Sequence, residues 1–278
     1  MVSPLISVAE LREAIDSENP PKILDVRWKL GGPPGASEYA RGHIPTAVYV
    51  DLDSELAKHG APIDGRHPIP DRADLESAAQ RWGLNNGDSV VVYDDAFGMS
   101  AARAWWLLRY AGVNDVRVLD GGYAAWLARA APLSTDDVRP ARGNILLRYG
   151  SLLTVDADGA ARVARAGVLL DARAAERYRG EIEPIDPRAG HIPGATSAPT
   201  AENLDAAGLM LAPELLAARF SNLGITDQTR VGVYCGSGVT AAHEALAMVV
   251  AGLPMPALYP GSFSAWSNDP VREVVRAG

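Results

Sequence analysis

Only one cysteine occurs in the 278 residues, Cys235, and it ends the apolar run VGVY in the stretch VGVYCGSGVTAAHEAL (231–246). Gly236, Ser237 and Gly238 follow it. Their small side chains let the backbone curl and turn several N–H groups inward. Val239 and Thr240 then open an alanine-rich helix, whose N-terminal end carries partial positive charge. Amides and helix end both favour thiolate over thiol. The spacing therefore points to a nucleophilic sulfur. The N–H groups from Gly236 to Thr240 would cradle an anion or the outer sulfur of a persulfide. A lone cysteine is more commonly a small buried hydrophobe. The nucleophilic reading requires a sulfur that is reachable and ringed by amides rather than walled in by apolar side chains.

The surrounding elements occur twice. SVVVYDDAFGMSAARAWWLLRYAGVNDVRVLDGGYAAW (89–126) is answered by RVGVYCGSGVTAAHEALAMVVAGLPMPALYPGSFSAW (230–266). Tyr93 matches Tyr234 at an offset of 141. Gly112 and Gly252, Gly121 and Gly261, and Trp126 and Trp266 match at 140, so one residue separates the two turns in length. Upstream, ILDVR (23–27) is answered by LLDAR (169–173), and RGHIPTA (41–47) by AGHIPGA (189–195). The same segments in the same order imply two copies of one domain. The first copy has Asp94 where the second has Cys235, so it keeps the scaffold without the nucleophile. His43 and His191 occur in both copies and read as architectural, because turns need fixed local hydrogen bonds.

In each copy short apolar runs alternate with helical segments. In the first copy the strands expected are Ile23–Val26, 47–50, Val90–Tyr93 and 116–120, with a helix over SVAELREAID near the N-terminus. That alternation predicts an α/β fold, each domain a mainly parallel sheet with helices on both faces. Ligands on such sheets bind at the carboxyl ends of strands, where turns enter helices, and Cys235 stands at such a place. The Pro-, Asp- and Ser-rich stretch APLSTDDVRPARGN (131–144) reads as part of a linker. The expected division is a non-catalytic copy over 1–131, a linker over 132–150 and a catalytic copy over 151–278.

A net charge of −8 argues against a nucleic-acid or anionic-membrane surface. The N-terminus shows no basic segment followed by an apolar one, and the apolar stretch near 244–258 carries Glu244 and is interrupted by prolines. A single cysteine forms no intrachain disulfide and suits a reducing cytoplasm. Five scattered histidines and one cysteine show no metal-ligand spacing, and no glycine-rich nucleotide motif occurs. No cofactor is expected. A cysteine phosphatase needs an arginine six positions after its cysteine, where this chain has Ala241, so little would stabilise a transferring phosphoryl group.

LD(V/A)R and GHIP in tandem, with VYCGSGVTA and PGSFSAW, resemble the two-domain rhodanese family of sulfurtransferases. The resemblance covers nearly the whole chain and implies two tandem rhodanese-like domains. It also implies a sulfane sulfur moved from a small-molecule donor through a Cys235 persulfide to a thiol, cyanide or thioredoxin-like acceptor. The loop CGSGVT has no Lys or Arg over 236–240 and is similar to the 3-mercaptopyruvate sulfurtransferase branch. A thiosulfate:cyanide sulfurtransferase and a low-turnover sulfur carrier or binding protein are the alternatives. In that branch a keto-acid carboxylate is gripped by arginines, and the resemblance gives those roles to Arg179 and Arg188. It also implies that Ser237, with His67 and Asp53, forms a proton relay. In a purely structural reading Ser237 fits a tight turn, His67 caps a loop, Asp53 starts a helix and both arginines are solvated.

Overall fold

The computed structural model describes residues 3–276. The chain forms two compact units. One comprises the residues up to Lys58, Pro70–Ser151 and Ala207–Leu209; the other comprises His59–Ile69, Leu152–Ala206 and the residues from Met210 onward.

The first unit is built on a five-stranded sheet, β1 (Leu5–Ile6), β2 (Lys22–Asp25), β3 (Val48–Tyr49), β4 (Val90–Tyr93) and β5 (Val116–Leu119), in the order β1-β5-β4-β2-β3. Every pair is parallel. The second unit has β6 (Val168–Asp171), β7 (Thr196–Ser197), β8 (Val231–Tyr234) and β9 (Ala257–Leu258), in the order β7-β6-β8-β9, again all parallel. Both central strands, β4 and β8, are buried at all four positions. A parallel sheet covered on both faces needs such unbroken apolar runs. Each buried Val or Leu contributes roughly 1.5–3 kcal/mol to folding. The strands match the expected runs to within one residue at each end, and β1 is an addition. The first helix, Val8–Ile15, starts where Ser7 and Glu10 form a reciprocal capping box.

The repeated motifs meet in one buried network per unit. Arg27 binds Asp25 and the carbonyl of Gly42, and the Tyr93 hydroxyl donates to Asp25. In the second unit Arg173 binds Asp171 and the carbonyl of Gly190, and the Tyr234 hydroxyl donates to Asp171. The GHIP histidines stack on Tyr39 at 3.8 Å and on Tyr178 at 3.7 Å, with Nδ1 on the same tyrosine's carbonyl. A buried aspartate is tolerated only with such partners, so LDxR, GHIP and the strand tyrosine belong together.

Two segments lie elsewhere than the chain order suggests. The expected linker runs along the first unit: Gly143 N–H bonds the Gln80 carbonyl, Ile145 that of Leu84 and Arg148 that of Ala111, while Ile145 and Leu147 are buried. Residues 59–69 leave the first repeat and pack with the second unit. There the Arg66 N–H donates to Ser264 Oγ at 3.1 Å.

Candidate active site

Cys235 follows β8 directly, and the helix Thr240–Val250 begins five residues later. Its sulfur accepts N–H bonds from Ser237 at 3.4 Å and Gly238 at 3.1 Å. Gly238 has φ +81°, and a Cβ there would come within 2.6 Å of the Pro260 carbonyl, so only glycine closes this turn without strain. The PGSFSAW turn fastens the loop from behind. Cys235 N–H donates to Ser262 Oγ, Phe263 N–H to the Cys235 carbonyl and Ser264 N–H to the Gly236 carbonyl. Cys235 is 2% exposed. The sulfur is therefore less open than the sequence reading required, although its neighbours on the loop side are amides rather than hydrocarbon.

In the first unit a carboxyl group occupies this turn. Asp94 follows β4 and is completely buried. One carboxylate oxygen accepts N–H bonds from Ala96 and Gly98, both at 2.8 Å. The other accepts from Ser100 at 2.7 Å and Ala101 at 2.8 Å. By the 140-residue offset, Gly98, Ser100 and Ala101 answer Gly238, Thr240 and Ala241. Four convergent amides are a well-formed anion cradle.

His67 and Ser237, 170 residues apart, are brought together: Nδ1 lies 2.7 Å from Oγ, with His67 7% and Ser237 8% exposed. Asp53 belongs to the first unit and accepts from Trp28 Nε1 at 2.8 Å. Gly236 and Gly238 lie in the turn, Val239 caps the helix and Thr240 is its first residue.

The arginines are distributed differently from the sequence reading. Arg179 extends outward on the short helix Ala175–Arg179, its side chain 43% exposed, and forms a bidentate pair with Glu181. Arg188 donates to four main-chain carbonyls, those of Trp266, Ser267, Asp269 and Arg272. It thereby satisfies the open C-terminal end of the helix Ser262–Asn268. The guanidinium groups beside the cysteine loop are those of Arg66 and Arg177. A Cβ placed on Gly236 would lie 2.7 Å from Arg66 Nη2 and 3.4 Å from Arg177 Nη1. Both are held from the far side by acids. Arg66 Nη1 pairs with Asp186, and Arg177 binds Glu183 at 2.5 Å and Asp186 at 3.0 Å. Burial pushes the Glu183 carboxyl upward, but bonds from Arg177 and from the Asp186 and Ile185 amides outweigh it and hold the group below the usual range. Burial dominates at Asp186 and raises it, against the pull of Arg66 and Arg177. Among the described residues no cluster of three or more His, Cys, Asp or Glu side chains is placed to hold a metal.

The rhodanese-like domain model matches this chain twice, over residues 7–129 and 157–269. The chain belongs to the rhodanese-like family. A relative from Mycobacterium tuberculosis, provisionally named thiosulfate sulfurtransferase SseB, is 45% identical over 277 residues, spanning 98% of this chain and 96% of its own. A Pseudomonas aeruginosa relative, provisionally named 3-mercaptopyruvate sulfurtransferase, is 46% identical over 262 residues, 91% of each chain. The crystal structure of SseA from Escherichia coli, described as a 3-mercaptopyruvate sulfotransferase with the rhodanese fold, superposes with a TM-score of 0.83 at 31% identity. It covers 94% of this chain and 99% of that one. Each sheet of this chain is parallel, and β4 and β8 each lead through a turn into a helix; a cysteine stands at that turn only in the second unit.

Proposed function

We propose that the protein is a sulfurtransferase that takes a sulfane sulfur from 3-mercaptopyruvate onto Cys235 and passes it to a thiol, cyanide or a thioredoxin-like acceptor. The observation that carries this reading is the cradle. Cys235 Sγ already accepts two amides, and the twin turn holds the two oxygens of a carboxyl group on four. A persulfide extends two atoms beyond Cβ, as a carboxylate does. Its outer sulfur therefore has the reach of the Asp94 carboxylate oxygens. Asp94 makes the first copy non-catalytic by filling its own cradle.

The Cys235 thiolate attacks the donor sulfur, the donor's C–S bond breaks, and the electron pair leaves as the enolate of pyruvate. The proton of the donor thiol ends on the enolate carbon. His67 and Ser237, within proton-transfer distance of each other, carry that proton. Arg177 grips the donor carboxylate through Nη1, which no acid among the described residues engages. Arg179 points outward and Arg188 is committed to four carbonyls, so neither takes this part. An attack by cyanide or a thiolate on the outer sulfur restores Cys235. The lone cysteine suits a reducing, cytoplasmic setting.

Thiosulfate is the second reading, favoured by guanidinium groups beside the loop, which the loop sequence itself lacks. Steady-state rates with both donors, for wild type and Cys235→Ser, test the assignment. Preference for mercaptopyruvate, loss of turnover in the variant and about 32 Da of added mass on Cys235 are expected. Preference for thiosulfate would replace the donor, and full activity of the variant would end the mechanism. A single stoichiometric loading without turnover would make the protein a carrier.

A further inference from the structure

The geometry points to Arg66 as a second donor-binding cation, delivered to the cysteine loop by the segment that also carries His67. This rests on Cys235 being the nucleophile for an anionic sulfur donor and adds a specificity-determining residue to it. No side chain over 236–240 is cationic, so the loop cannot itself neutralise a donor carboxylate. Arg66 is part-buried, and its Nη1 is engaged by Asp186. Its Nε is buried with no hydrogen-bond partner among the described residues. Its Nη2 lies against Gly236, 2.7 Å from where a Cβ would stand.

Arg177 is arranged in the same way: Nε and Nη2 are taken by Glu183 and Asp186, and Nη1 faces Gly236 at 3.4 Å from the same point. Two guanidinium edges from different parts of the chain thus converge, with N–H groups to spare, one residue from the nucleophile. Asp186, whose side chain is 1% exposed, bonds both arginines. It fixes their planes, so little rotamer freedom is left to lose when an anion arrives. The ligand that fits is a monocarboxylate whose oxygens bridge Nη2 of Arg66 and Nη1 of Arg177, with its sulfur toward Cys235. The absence of a side chain at Gly236 is what admits both edges. The main chain of Arg66 is tied to Ser264, and the next residue, His67, is tied to Ser237. The carboxylate grip and the proton carrier are therefore positioned by one rigid dipeptide.

The test separates binding of the anion from turnover. Cys235 is alkylated with iodoacetate and with neutral iodoacetamide, and the ratio of the two rates is compared in wild type, Arg66→Ala, Arg66→Lys and Gly236→Ala. The ratio should fall about tenfold or more in Arg66→Ala and in Gly236→Ala, and recover in part in Arg66→Lys, because a charge-assisted bond to the carboxylate is lost and then partly restored. In parallel, kcat/KM is measured with 3-mercaptopyruvate and with mercaptoacetone, which has a methyl group in place of the carboxylate. Arg66→Ala should lose roughly ten- to hundredfold more with the former, through KM. An unchanged alkylation ratio, or equal losses for the two donors, overturns the assignment. If Arg66→Ala does not fold, by far-UV circular dichroism and cooperative melting, Gly236→Ala and Arg66→Lys decide by the same criteria. If wild type does not turn over mercaptopyruvate, the donor assignment fails while the alkylation ratio still decides on Arg66.

Discussion

Replacing Ser237 by alanine removes one oxygen and separates two donors that have different needs for a proton. Mercaptopyruvate must move a proton from sulfur to carbon as its C–S bond breaks; thiosulfate releases sulfite with no proton transfer. His67 Nδ1 and Ser237 Oγ lie 2.7 Å apart, inside the 2.6–3.2 Å window for direct transfer, where such a group contributes about 10²–10⁴-fold. For His67 to accept the hydroxyl proton its ring must carry hydrogen on Nε2, which leaves Nδ1 as the acceptor. Water can substitute in part for a lost hydroxyl, so the lower end applies, about 100-fold or 2.7 kcal/mol of barrier at 1.36 kcal/mol per tenfold. The assay is stopped-flow persulfide formation on Cys235, donor against donor, before the acceptor is added. Mercaptopyruvate should slow about 100-fold and thiosulfate by less than about threefold. The change also removes the hydrogen bond between Oγ and the buried His67 ring, a cost of about 0.5–1.5 kcal/mol in stability, so the urea midpoint should fall while the protein stays folded. Equal slowing of both donors would mean that Ser237 shapes the cradle rather than moving a proton, and the relay would be discarded.

Arg177→Ala should raise KM for mercaptopyruvate roughly ten- to hundredfold, whereas Arg179→Ala should stay within about threefold, since its partner is Glu181 on the surface; parallel saturation curves distinguish them. Arg188→Ala should lower stability by about 2–4 kcal/mol in urea unfolding, because four carbonyls lose their shared donor. Asp94→Ala should cost about 3 kcal/mol or more, since four buried amides lose their acceptor, and Asp94→Asn less, because one carbonyl oxygen remains. Burial holds the His191 imidazole below the usual histidine range, against the backbone bond to Tyr178. The unfolded chain therefore binds a proton first as pH drops below about 6.5, and stability falls from there toward the lower folded value. His191→Gln should flatten that part of the curve of unfolding free energy against pH; an unchanged slope would assign it to other groups.

The repeat, the parallel strands and the turn at Cys235 were legible in the sequence because each depends on residues close together in the chain. Four consecutive buried positions make an apolar run, and a glycine with positive φ makes a turn wherever it occurs. The pairing of Asp25 with Arg27 and of Asp171 with Arg173, two residues apart, is equally local. Its role in holding GHIP required the fold, because Gly42 and Gly190 come from later in each repeat. That Asp94 fills its own cradle was half legible: the substitution was visible, its four amides were not.

The arginines show where reading along the chain ends. Arg177 and Arg179 are two residues apart on one helical turn, so at about 100° per residue they point to opposite sides, and only packing decides which side meets the loop. Arg188 lies between a glutamate-rich stretch and GHIP and gives no sign of the helix end it caps 78 residues later. The segment 59–69 departs furthest from chain order: it lies between β3 and β4 of the first repeat yet packs with the second unit, bringing His67 to Ser237 and Arg66 to Gly236. By itself the sequence determined the strand-turn-helix setting of Cys235 and the turn that aims the Ser237 and Gly238 amides at its sulfur, because backbone geometry around one residue is local. Tertiary structure alone decided which guanidinium groups and which imidazole come to that loop, because a long flexible side chain is aimed by whatever holds its far end.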